Sequence, residues 1–185
     1  MILGNKKKLI IGSILTFILI ISYLLGSGWL EKFIYPLKYS EYVEKYAEEY
    51  NIDKYLVYSV IKAESKFRAD AESHKGAKGL MQIGDTTAKW AETEIGIDST
   101  KMFEPETNIR TGCWYLQRLY KEFGNRDLVI AAYNGGSGNV RKWLETHEYS
   151  RDGERLHNMP FKETQNYVDK VNKNYEKYKE IYDRR

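Results

Sequence analysis

Glu64 ends the apolar run "YLVYSVIKAE" and is followed by a polar loop and then by "GAKGLMQIG" at 76–84. Ile61 and Phe67 stand three residues either side of it, so on a helix its carboxylate points to the apolar side. A carboxyl group held beside apolar surface resists ionisation and keeps its proton near neutral pH, as a general acid must. Taken without its neighbours, a glutamate near a helix end is a solvated surface group. Three more carboxylates follow at Asp70, Glu72 and Asp85. Asp70 and Glu72 read most simply as solvated, and Asp85 as a helix N-cap. If Asp85 instead positioned water, the site would be that of a hydrolase. His74, His147 and His157 show no paired ligand spacing, and no phosphate-cradling glycine loop follows a strand, so no metal or other cofactor is expected.

The elements that would carry these groups read as helices. Ser40 is the expected N-cap of "EYVEKYAEEY", and Asp53 that of a helix running to about Phe67. Asp85 or Thr86 would cap "TAKWAETEIG"; Pro105 opens a helix that Gly124 closes. Ile109, Cys113, Leu116, Tyr120 and Phe123 then form one buried stripe. Asn125 starts "RDLVIAAY", ended by Gly135-Gly136; "NVRKWLET" follows, then a surface loop over 144–160. The last helix places Tyr167, Val168, Val171, Tyr175, Tyr178 and Tyr182 on one side. Trp90, Trp114 and Trp143 lie in helical patterns, and core packing is the default for each. No alternating strand and no repeat is evident. The expected fold class is all-α: one compact helical domain over 40–185.

With 185 residues, 42% of them hydrophobic, the chain suffices for one such domain. Its 29 basic and 26 acidic side chains are mixed along the sequence, so no single-sign patch advertises nucleic acid. The lone Cys113 provides no intramolecular disulfide. "LIIGSILTFILIISYLLGSGWL", 9–30, is free of charge over roughly 22 residues, enough to cross a bilayer. Lys6-Lys7-Lys8 precede it, so a tail at 1–8 is expected in the cytoplasm, a transmembrane anchor at 9–30, a linker at 31–39 and the domain on the outer side. The alternative is a cleaved signal peptide with small residues at Gly26-Ser27-Gly28. With an anchor, the linker reaches roughly 35 Å if fully extended.

"ES" at Glu64-Ser65, Ser73, "GAKGLMQI" at 76–83, Asn108 with Gly112, "AYNGG" at 132–136 and "ETQNYV" at 163–168 together resemble the soluble lytic transglycosylase domain, a goose-lysozyme-like group, over about residues 40–175. The resemblance implies a lysozyme-like fold. It also implies cleavage of the β-1,4 bond between N-acetylmuramic acid and N-acetylglucosamine in peptidoglycan glycan strands, with Glu64 as the single acid and base. Most glycosidases use two carboxylates. In the resembled family the substrate's own N-acetyl group supports the cationic centre and its 6-hydroxyl attacks, so no water is consumed. By the same resemblance Ser73, Met81, Gln82, Tyr133, Asn134, Glu163 and Tyr167 line the substrate groove. Met81 would supply apolar lining, Gln82 amide hydrogen bonds, and Tyr133 a hydroxyl that orients Glu64 or the glycosidic oxygen. Asn108 would fix backbone beside the groove. Gly84-Asp85 departs from the Met-Pro type pair frequent there in the family. A goose-type hydrolase and a non-catalytic wall-binding module remain the competing readings.

Overall fold

A computed structural model describes the backbone of residues 2–26 and 28–183, with the side chains of 2–5, 7–9, 20 and 24–26 outside the description. The helices are α1 (Ile2–Gly26), α2 (Trp29–Ile34), α3 (Ser40–Glu49), α4 (Lys54–Glu64), α5 (Asp85–Ile95), α6 (Pro105–Phe123), α7 (Arg126–Gly135), α8 (Ser137–Leu144) and α9 (Lys162–Tyr182), with a 3₁₀ turn at Ser99–Lys101. Among the described residues there is no strand, only isolated bridges pairing Lys78 with Glu72 and with Ile83.

The core is built round α4, whose Leu56, Val57, Tyr58, Val60 and Ile61 are wholly buried. Helix α9 packs along it and against α7, and α3 packs against α4 and α6. Asp53 caps α4 by accepting from the Tyr55 amide, and Asn125 caps α7 through the Asp127 and Leu128 amides. Gly124 closes α6 at a φ of 65°, where glycine carries no steric penalty. Cys113 is a buried core residue.

Several boundaries differ from expectation. Tyr39, in the left-handed region, stands at the N-cap of α3, and Ser40 is already helical. Helix α4 stops at Glu64, because Lys66 and Phe67 turn left-handed at φ of 54° and 65°. Gly84 is the N-cap of α5, and Asp85 lies inside the helix, paired with Lys78 at 2.9 Å. Trp90 is 39% exposed rather than core, although Trp114 and Trp143 are buried. Its ring meets Trp114 edge-on at 4.8 Å, and the Arg118 guanidinium lies 4.9 Å from it.

The expected anchor, 9–30, falls partly outside the described residues, as do the basic run at 6–8 and the cleavage-site reading through Ser27. Among the described residues no helix is long and apolar enough to cross a membrane. The 31–39 segment is no extended linker. Helix α2 occupies its first part, and Lys62 Nζ donates to the Ile34 carbonyl at 2.6 Å, Tyr182 to Tyr35 at 2.7 Å and Tyr178 to Pro36 at 3.2 Å. A helix rises 1.5 Å per residue against about 3.4 Å extended, so the reach is shorter than the sequence alone suggested.

Candidate active site

Glu64 is the last residue of α4, half-buried, with its Oε1 accepting from the Tyr167 hydroxyl at 2.6 Å. Burial pushes its carboxyl up from 4.5 to about 7, against the opposing pull of the Tyr167 hydrogen bond and the Lys170 charge. The C-terminal end of a helix carries partial negative charge, which works against the carboxylate in the same sense as burial. Lys170 donates to the Ala63 carbonyl at 2.6 Å and so covers part of that helix end. Among the groups that act on Glu64 there is no second carboxylate. Asp85 is fully exposed and held by Lys78, which lowers its pKa.

The glycine-punctuated loop is a tight turn held from inside. Lys78 and Ile83 exchange backbone hydrogen bonds at 3.0 and 2.9 Å. Asn108, buried on α6, accepts from the Met81 amide at 2.8 Å and donates to the carbonyls of Lys78 (2.9 Å) and Met102 (2.7 Å). Gly79, at a φ of 77°, leaves no room for a Cβ between the Asn108 amide and the Met102 carbonyl. Gly112 gives way in the same manner to the Met81 side chain.

The structure places the remaining candidates as follows. Met81 is wholly buried in the core against Gly112, and its carbonyl accepts from the Tyr133 hydroxyl at 2.9 Å. Tyr133 therefore holds the loop, and the hydroxyl that reaches Glu64 belongs to Tyr167. Burial and the nearby Glu64 charge raise the Tyr133 phenol well above its ordinary value, and its ring lies 5.5 Å from that of Tyr115. Gln82 adopts a left-handed φ of 51° and spends its amide nitrogen on the Ala71 and Gly79 carbonyls, at 3.0 and 2.9 Å. The Ser73 hydroxyl accepts from the Ala77 amide at 3.0 Å, closing its own turn. Asn134 is half-buried in the last turn of α7, and Glu163 is exposed in the first turn of α9. Those two helix ends meet because Gly135 admits Thr164: a Cβ there would lie 3.0 Å from the Thr164 hydroxyl.

Two hydrogen-bonded pairs, Tyr167–Glu64 and Tyr133–Met81, are thus drawn from α4, the loop, α7 and α9 to within electrostatic reach of each other. Lys170 escaped the sequence reading. Its signal was its spacing, three residues after Tyr167 and so on the same face of α9.

The chain has relatives of known class. Residues 41–155 match the transglycosylase SLT domain family. The soluble lytic murein transglycosylase of Salmonella typhimurium is 36% identical over 143 residues, covering 74% of this chain and 22% of that protein. The membrane-bound lytic murein transglycosylase C of Sodalis glossinidius is 33% identical over 135 residues, covering 64% and 35%. The 70 kDa soluble lytic transglycosylase of Escherichia coli superposes with a TM-score of 0.72 at 30% identity, over 86% of this chain and 27% of that one. The chain thus spans about a fifth of the length of the first soluble relatives it matches. A helical core that ends one helix on a half-buried glutamate, and a family match across that core, together place the chain in the SLT transglycosylase domain family.

Proposed function

We propose that the chain is a peptidoglycan lytic transglycosylase that cleaves the N-acetylmuramic acid–β-1,4–N-acetylglucosamine bond, with Glu64 as its single acid and base. The observation that carries this reading is a lone carboxyl with a pKa near 7, hydrogen-bonded to Tyr167, with no other carboxylate acting on it. At neutral pH such a group is present both as acid and as base, which a two-step proton relay requires. Glu64 gives its proton to the leaving glycosidic oxygen as the bond to the anomeric carbon breaks. The muramic 6-hydroxyl oxygen then bonds to that carbon and its proton passes to Glu64, restoring the acid. The product ends in a 1,6-anhydro sugar, and no water enters. Tyr167 donates to Oε1 of Glu64 and so favours its carboxylate after the proton has left, and the Tyr133–Met81 bond keeps the loop at the site. Ser73, Gln82, Asn134 and Glu163 belong, on this reading, to the groove around it.

Most hydrolytic glycosidases use a second carboxylate as nucleophile or to activate water, and the exposed, Lys78-paired Asp85 is a poor candidate for that role. A wall-binding module would have no use for an acid poised near 7.

Residues 9–30 are read as a membrane anchor, with 1–8 on the cytoplasmic side, 31–39 as a short packed connection and 40–185 as the catalytic domain on the wall side. Support comes from the uncharged sequence, from the exposed Ile10, Ile11, Ile14, Leu15, Phe17, Ile18 and Leu19 of α1, and from a relative named as membrane-bound.

The test is mass spectrometry of fragments released from purified peptidoglycan by the full chain and by Glu64→Gln. Fragments one water lighter than hydrolytic products, absent with the mutant, are expected. Reducing ends would make the chain a hydrolase, and release by the mutant would remove Glu64 from the chemistry.

A further inference from the structure

A second feature lies away from the Glu64 carboxylate. Lys32, Lys38, Lys62, Lys66 and Lys170 surround a cleft of about 550 Å³ whose apolar wall is Phe33, Ile34, Pro36 and Phe67. It draws on α2, residues 36–38, α4 and the turn after it, and α9. Among the described residues none of the five lysines forms a salt bridge, although nine bridges are made elsewhere. The acid nearest in sequence, Glu31, lies over Gly28 and acts on Lys177, and it does not line the cleft. Lys62 is held at a depressed pKa by burial and by the charges of Lys66 and Lys170, so these ammonium groups lie close enough to repel.

Beside this basic ring α2 presents apolar and aromatic surface to solvent. Trp29 is 53% exposed and Phe33 70%, their rings stacked at 5.6 Å, with Leu30 and Ile34 also exposed. Aromatic side chains with flanking lysines are the residues that settle at a bilayer interface. The hydrogen bonds from Lys62, Tyr178 and Tyr182 to the backbone at 34–36 fix this surface to the catalytic domain.

We propose that α2 and the lysine cleft form a docking face for the anionic phospholipid surface of the membrane, with lipid phosphates among the lysines and α2 aromatics at the headgroup level. Charge complementarity selects the occupant: five cations with few acids suit phosphates, and the exposed aromatic pair suits the acyl boundary beside them. The inference rests on the anchor reading, since the face adjoins the chain's exit from residues 9–30. Lys170 also touches the carbonyl preceding Glu64, so docking would hold the catalytic site close to the bilayer, facing newly made wall.

The full chain would be reconstituted into vesicles of phosphatidylcholine alone or mixed with phosphatidylglycerol, and lysine acylation rates read by mass spectrometry. Labelling of Lys32, Lys38 and Lys66 is expected to fall in anionic vesicles by about fivefold each, the weight of one lysine at such a surface, and to recover in high salt. Lys89 on α5 and Lys142 on α8, outside the cleft, should not change. The double reversal Lys32→Glu/Lys66→Glu should abolish protection at Lys38. Equal labelling in both lipids would overturn the proposal. So would protection in phosphatidylcholine vesicles on adding inorganic phosphate, which would make the cleft a soluble-anion site. Flotation of the same samples separates the two readings. Flotation only with anionic vesicles removes the anchor and keeps the docking face, whereas flotation with neither removes both.

Discussion

Replacing Glu64 by glutamine should stabilise the folded chain at alkaline pH while removing its activity. The carboxyl titrates near 4.5 when exposed and near 7 in the fold. At about 1.4 kcal/mol per pH unit, that difference amounts to about 3 kcal/mol of folding free energy. A folded pKa above the unfolded one means that the native state holds its proton longer. Below about pH 4.5 both states are protonated and the group contributes no difference. Between about 4.5 and 7 the unfolded chain releases its proton first, so stability falls with rising pH; above 7 the full penalty is present. Glutamine cannot ionise, and its side-chain oxygen still accepts from Tyr167. Urea unfolding of both proteins from pH 4 to pH 8 should therefore show the mutant's advantage growing to about 3 kcal/mol, with any constant offset from the amide itself subtracted at pH 4. A difference that does not vary with pH would mean that Glu64 is not held near 7, and the acid–base assignment would lose its physical basis.

Two further outcomes follow from the same contacts. Tyr167→Phe removes a hydrogen bond that favours the carboxylate, so the alkaline limb of kcat/KM, set by protonated Glu64 in the free enzyme, should move upward from about 7; a limb that stays or moves downward would contradict this role. Gly79→Ala must place a Cβ against the Asn108 amide and the Met102 carbonyl at a left-handed φ, and should cost about 3 kcal/mol or more in urea unfolding from strain and lost buried hydrogen bonds, whereas Gly76→Ala, with open space around it, should lose only about the backbone penalty of a left-handed alanine, about 1–2 kcal/mol.

The apolar period of α4, α6 and α9, the Asp53 and Asn125 caps and the Gly124 stop were all legible in the sequence, because each is decided by neighbours within a turn or two of chain. The burial of Glu64 was expected from Ile61 and Phe67 at helical spacing, but only Ile61 shares its helix, because the chain leaves α4 at Glu64 and Phe67 lies beyond, in the left-handed turn. Local rules did not reach the partner of that carboxylate. Tyr133 and Tyr167 are equally plausible tyrosines in sequence, and only the packing of α9 along α4 brings the Tyr167 hydroxyl to Glu64 and leaves Tyr133 to the Met81 carbonyl. Met81 read as groove lining, yet Gly112 opens a hole in α6 that takes the methionine side chain inward, while the amide nitrogen of the left-handed Gln82 serves two carbonyls of the loop. The basic cleft was invisible for the same reason: five lysines spread from 32 to 170 form no cluster until α2, α4 and α9 converge. Residue types and their periods set which helices form and which face each buries. Where two distant side chains meet, and so which hydroxyl serves the acid, was decided by helix packing, because contact between residues about a hundred positions apart depends on the whole core and on no local stretch.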